Sequence, residues 1–154
     1  PRKTLLLNAV YSIVLGGATV LLLMTQGVLS LKPWYSPSYM IPLGGMIFAN
    51  CMNSISLAAE RLESELKQGQ SYEKAKVIAL RTSLIPITNM LLAVGLVSLP
   101  GMMTGQILAG VSPLIAVRYQ IMVMCMIFGS SGISAAVFLH SAKDSFTEAK
   151  NRFE

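Results

Sequence analysis

The chain has 154 residues, 53% of them hydrophobic and 12% charged, with 12 Lys and Arg against 7 Asp and Glu for a formal net charge of +5. Its mean hydropathy of +0.61 is far above that of soluble proteins. The charge is confined to gaps, because residues 4–31, 33–59, 82–117 and 119–142 contain no Asp, Glu, Lys or Arg, and this pattern disfavours a soluble bundle and a nucleic-acid-binding protein.

A helix needs about 20 apolar residues to cross a hydrocarbon core. Each charge-free run is long enough, and the runs are apolar all round rather than on one stripe. The expected fold is therefore all-α: a polytopic membrane protein of about four transmembrane helices in one domain, residues 1–154. The first span is expected over 4–29. It exceeds the apolar length of a signal peptide and ends at Leu31-Lys32-Pro33-Trp34-Tyr35 without a small-residue cleavage pattern, so it reads as a retained helix. The short loop 32–38 follows, with Trp34, Tyr35 and Tyr39 placed as interfacial anchors.

The second span is expected over 40–62, with Pro42 tolerated in its first turn. It continues into a polar stretch and so projects from the membrane. The loop 60–81 reads as helix, turn, helix: Gly69 suits a helix C-cap, Ser71 the next N-cap, and Glu73 the favoured first turn. A third span is expected over 72–98. The charge-free run that contains it is too long for one crossing and is punctuated at Leu99-Pro100-Gly101 and Ser112-Pro113, so the helix must break at Pro100 and Gly101. A short segment over 102–109 then re-enters the membrane or lies at its outer face. Ser112 and Pro113 are placed to open the last span, 113–140, and a polar tail occupies 141–154.

Basic residues gather on the cytoplasmic side of membrane proteins. With Arg2 and Lys3 inside, four crossings also put Arg61, Lys67, Lys74, Lys76, Arg81, Lys143, Lys150 and Arg152 inside, and only Lys32 and Arg118 outside. Both termini are therefore expected in the cytoplasm.

Enzymatic chemistry has no visible foothold. His140 is the single histidine, no nucleophile, base and orienter can be assembled around it, and no phosphate-binding loop is present. The seven acidic residues all fall in the expected cytoplasmic segments, where they cannot serve a proton- or sodium-coupled carrier at mid-membrane. No cofactor and no metal site are expected. Met46 and Cys51 are weak metal candidates only, since buried thiols and the ten methionines serve equally as apolar packing.

The informative polar residues lie within the spans. Met46, Asn50 and Asn53 share a face of the second helix, and Asn89 lies at similar depth on the third. An amide is costly against lipid and must find partners, so Asn50, Asn53 and Asn89 either join helices or line a permeation path. Small residues at helix-contact spacing (Gly45 with Ala49; Gly101, Gly105 and Ala109; Gly129, Gly132 and Ser131 with Ala135) are expected to let helices approach closely. The loop 60–81 reads either as a solvated hairpin or as a docking knob for a cytoplasmic partner.

Two runs are more specific. Residues 40–52 read Met-Ile-Pro-Leu-Gly-Gly-Met-Ile-Phe-Ala-Asn-Cys-Met, and residues 94–110 read Val-Gly-Leu-Val-Ser-Leu-Pro-Gly-Met-Met-Thr-Gly-Gln-Ile-Leu-Ala-Gly, with Tyr119-Gln120-Ile121-Met122-Val123-Met124 beyond. These resemble the signature segments of the FetB-type family of bacterial iron-export ABC permeases, whose plant relatives act in aluminium tolerance with UDP-glucose as a proposed substrate. The resemblance covers about residues 38–139. It implies a permease subunit in the bacterial inner membrane, working as a homodimer with a separate cytoplasmic ABC ATPase. It also implies that Leu66, Gly69, Ser71 and Ala75 form an ATPase-coupling turn. Three departures stand out: Tyr72 occupies the turn's usual proline position, Asn89 and Leu92 stand where the family commonly has Asp and Lys, and members are longer at the N-terminus, so the chain resembles a C-terminal portion. Iron or another metal ion is the expected cargo. The alternatives are UDP-glucose or another organic anion, for which Arg118 is the outer-side arginine to watch, a membrane scaffold that transports nothing, and a passive channel.

Overall fold

The computed structural model describes residues 2–33, 35–96, 101–143 and 146. Trp34, the Leu99-Pro100 part of the expected break and the charged tail residues beyond Lys143 lie outside the described residues. Every element described is helical, and four of the helices are long and apolar enough to cross a membrane.

Helix α1, Arg2–Leu22, widens into one π turn, Leu23–Val28. There the Leu29 N–H reaches back five residues to Met24 at 2.9 Å and the Leu31 N–H six residues to Thr25 at 3.1 Å, while the Thr25 hydroxyl donates to the Leu21 carbonyl at 2.9 Å. Helix α2, Pro37–Lys67, opens on a proline five residues before Pro42, so Pro42 lies inside the helix rather than in its first turn as expected, and its missing N–H leaves the Ser38 carbonyl without a helical donor. At 1.5 Å per residue it is about 46 Å long, well beyond a hydrocarbon core of about 30 Å. It begins before residue 40 and runs about a turn past residue 62.

Helix α3, Tyr72–Leu96, contains Pro86. The short helix α4, Gly101–Leu108, starts at the glycine of the expected break and stops at Gly110, whose φ of +87° admits few other residues. The Gly110 N–H bonds to Ile107 and the Val111 N–H to Gln106, both at 3.0 Å, which is a Schellman closure. Helix α5 is Pro113–Ser141. Ser112 holds its N-cap position through its carbonyl, which accepts the N–H groups of Ile115 and Ala116, while its hydroxyl makes no capping bond.

The spans alternate in direction around two apolar clusters. One, at the end carrying the α2–α3 turn, comprises Ile55, Ala58 and Leu62 from α2, Ala75 and Ala79 from α3, and Ala135, Phe138 and Leu139 from α5, with Leu5, Ala9 and Ile13 of α1 packed against it. The other, at the opposite end, comprises Val20, Leu21, Leu43, Ile47, Cys51, Ile87, Val123, Met126 and Ile127. Helices α2 and α5 form the centre, and α3 is peripheral: 50% of the most apolar window of α5 is buried, but 17% of that of α3.

Of the small residues singled out by spacing, Ser131 and Ala135 are fully buried, but the close backbone approaches occur at two glycines that the spacing did not single out. A Cβ on Gly16 would come within 2.9 Å of the Ser134 nitrogen on α5, and one on Gly17 within 2.8 Å of the Phe48 ring on α2. Gly45, Gly101, Gly105, Gly129 and Gly132 have open space there instead. Spacing marks where helices can touch, and the azimuth of each helix, set by the two apolar clusters, decides where they do.

Candidate functional site

A polar layer separates the two apolar clusters. Along α2, Ser54 falls between Cys51 of one cluster and Ile55 of the other; along α3, Ser83 falls between Ala79 and Ile87; along α5, Ser130, Ser131 and Ser134 fall between Ile127 and Ala135. All five serines are buried. On the α2–α3 side the layer opens into a cleft of about 110 Å³, lined by Asn50, Asn53, Ser54 and Leu57 from α2 and by Ser83, Pro86, Ile87 and Met90 from α3. That is room for a few water molecules or a small solute group.

A proline lines the opening. Pro86 has no N–H, so the carbonyl of Thr82 four residues earlier loses its helical donor, and the ring crowds that turn. The side chains then supply neutral polarity. The Asn50 amide NH₂ donates to its own helix, at the Met46 carbonyl, 2.8 Å away, and the Ser83 hydroxyl donates to the Leu80 carbonyl at 2.9 Å. Two carboxamides, two hydroxyls and the thioether of Met90 can hydrogen-bond or solvate a polar group, but none of them carries charge.

Of the three asparagines singled out from sequence, Asn50 is half-buried and Asn53 exposed, and both line the cleft; Asn89, one turn beyond Pro86, is exposed and does not line it. Of the buried serines of α5 the sequence singled out only Ser131, as a small packing residue, and Ser130 and Ser134 were missed. Their signal is the recurrence of Ser130 and Ser134 at i and i+4, level with Ser54 and Ser83. The Ser130 hydroxyl donates to the Ile127 carbonyl at 3.1 Å, whereas those of Ser131 and Ser134 are buried without a partner.

Metal chemistry has little to work with among the described residues, where no group of three His, Cys, Asp or Glu could hold an ion. Cys51 is fully buried in an apolar cluster with Met46 packed against that cluster, and Cys125 is exposed. His140 is exposed in the last turn of α5. Arg118 and Lys32 are exposed on the segments at the end opposite the α2–α3 turn.

That turn is built by its backbone. Gly69 has φ of +82°, its N–H bonds to Leu66 at 3.1 Å, and the Gln70 N–H bonds to Glu65 at 3.2 Å, a Schellman closure that stops α2. The Ser71 carbonyl accepts the Ala75 N–H at 2.9 Å and starts α3. Gly69 and Ser71 are exposed at the tip, while Ala75 is fully buried and Leu66 packs against the same cluster, so the tip is presented on a braced base. Below it the Glu65 carboxylate, 6% exposed, pairs with Arg61 at 2.6 Å; Lys67 pairs with Glu63 at 2.7 Å in the open.

The model of an uncharacterised protein family, UPF0014, matches residues 1–77 and 68–146. Among curated proteins, the UPF0014 membrane protein slr1647 of Synechocystis sp. is 44% identical over 137 residues, 78% of this chain and 53% of the relative. The "Probable iron export permease protein FetB" of Escherichia coli (strain K12) is 30% identical over 151 residues, 88% of this chain and 57% of the relative. The protein ALUMINUM SENSITIVE 3 of Arabidopsis thaliana is 35% identical over 127 residues, 73% and 46% of the two chains. The chain spans about half the length of these relatives. No solved structure matches it.

Proposed function

The chain belongs to the UPF0014 family of membrane proteins, and on that premise we propose that it is part of the permease subunit of an ABC transporter that exports iron or another metal ion. ATP is hydrolysed on a separate cytoplasmic subunit, and the permease sits in a bacterial inner membrane with both described ends of this chain in the cytoplasm. The observation that carries the reading is the α2–α3 hairpin. Two spanning helices run on past the charge-free stretches and meet at an exposed, hydrogen-bonded tip over a buried base, the form a permease needs to receive force from an ATPase. Leu66, Gly69, Ser71 and Ala75 are its contact and bracing residues. The relationship to the bacterial protein named as an iron export permease supports the cargo class.

In this reading the Asn50–Asn53 cleft is the part of the path that this chain contributes. Neutral carboxamides and hydroxyls replace water around a partly hydrated cargo without binding it so tightly that it cannot leave. Asn53 and Asn89, exposed on neighbouring helices, face further protein, either a second copy of the subunit or the rest of the same one, because an amide left against lipid is costly. The same neutral donor set suits hydroxyl-rich organic cargo, which keeps a nucleotide sugar such as UDP-glucose as the second reading. The test is ATP hydrolysis by the partner ATPase in proteoliposomes, with and without the full-length permease, titrated with iron, other metals and UDP-glucose. Stimulation that requires one cargo supports the reading and names the substrate; no stimulation by any of them refutes it and leaves a scaffold or channel.

A further inference from the structure

Helix α5 is capped at its last turn by two other helices. The Tyr72 hydroxyl, at the first residue of α3, donates to the Leu139 carbonyl at 2.6 Å, and the Asn8 amide of α1 donates to the Ser141 carbonyl at 3.1 Å. Both acceptors lie in the final turn of α5. The Tyr72 ring packs against the apolar cluster that holds Ala75, Phe138, Leu139 and Ala142. Lys143 stands 5.9 Å over that ring and reaches Glu73 at 3.5 Å. An exposed pair of that length adds little, so the hydroxyl bond and the ring are the firm part of the joint.

The joint matters because α3 is a poor rod. Pro86 interrupts its hydrogen-bond ladder partway along, and a push delivered at its first turn can be absorbed there. Helix α5 has no proline after its first residue, contacts α1, α2 and α3, and meets α1 backbone-to-side-chain at Gly16 and Ser134. We propose that Tyr72 is a positioning residue that joins the hairpin tip and the last turn of α5 into one moving unit, so that displacement at Gly69–Ser71 travels through α5 to the polar layer. Only the source of the displacement rests on the function proposed above.

The test is amide hydrogen exchange on the full-length protein in lipid nanodiscs. Tyr72→Phe keeps the ring and removes the hydroxyl bond, and should speed exchange about fivefold both at the start of α3 and in the last turn of α5. Gly69→Ala, strained by the φ of +82°, supplies a push without any ATPase. Its faster exchange should spread from the hairpin to the last turn of α5, and in the Tyr72→Phe background Gly69→Ala should add nothing at that last turn beyond the effect of Tyr72→Phe alone. An unchanged last turn in Tyr72→Phe, or an equal spread with and without the hydroxyl, overturns the proposal. Adding the ATPase and a non-hydrolysable ATP analogue separates the two readings: a hairpin indifferent to both refutes the transporter function, while the joint has already been judged on the permease alone.

Discussion

Replacing Gly16 by alanine puts a methyl group where α1 and α5 touch. Besides running into the Ser134 hydroxyl, the new Cβ would lie 2.9 Å from the Ser134 nitrogen and 3.1 Å from its Cα, against 3.4–4 Å for ordinary contact. Those are backbone atoms and cannot rotate away, so α1 must lift by about 0.5 Å, which also loosens Gly17 from Phe48 and Ile47. Overpacking of this kind costs about 1–3 kcal/mol, and the better helix propensity of alanine offsets up to about 1 kcal/mol. The expected net loss is about 1–2 kcal/mol, roughly 5- to 30-fold in the unfolding equilibrium. The control is Gly45→Ala, where nothing lies within 4 Å and only the propensity gain of about 0.5–1 kcal/mol remains. Titration of the purified protein with SDS in mixed micelles, followed by circular dichroism, gives both values. Adding Ser134→Ala to Gly16→Ala removes the hydroxyl but leaves the nitrogen and Cα, so it should restore only part of the loss. A Gly16→Ala protein as resistant as Gly45→Ala would refute the close seat of α1 on α5.

Asn50→Leu should lower transport at least tenfold in proteoliposomes while leaving the amount of assembled complex within twofold; equal losses would make Asn50 a purely structural contact. Gly69→Pro combined with Ser71→Pro removes the N–H at Gly69 that closes the turn and forbids its φ of +82°, so stimulation of the partner ATPase should vanish while membrane insertion persists. Normal stimulation would sink the docking role of the hairpin. Arg61→Ala leaves the Glu65 carboxylate, 6% exposed, without its cation, and should cost about 1–3 kcal/mol in the same SDS titration. Adding Glu65→Gln should recover most of that, and a loss under about 0.5 kcal/mol in Arg61→Ala would show that water reaches the carboxylate freely.

What was legible in the sequence follows from what lipid demands. A charge in hydrocarbon is expensive wherever it points, so the gaps between charges located the spans, and Gly69 announced the turn because its backbone conformation is open to few other residues. Faces are another matter. In water an apolar stripe identifies the buried side of a helix, but lipid and protein core are equally apolar, so a helix such as α3, with 17% of its window buried, shows the same pattern all round. Only polar and small residues mark a face in such a helix, and each of them has two readings. Gly45 and Gly16 look alike in sequence, yet one faces open space and the other another helix's backbone.

The asparagines divide for the same reason. Asn50 is drawn inward because its face of α2 also carries Ser54 and meets Ser83 across the cleft that Pro86 lines, and together they make an environment that a carboxamide can share. Asn89 has no such company among the described residues, since three residues past the proline its side chain is exposed and does not line the cleft. Depth was readable from position along the span; azimuth depended on a long-range pairing of α2 with α3 that no local pattern encodes. A carboxamide held outside a bundle at that depth still needs partners, so Asn89 bears on what covers α3, whereas Asn50 bears on what passes between α2 and α3.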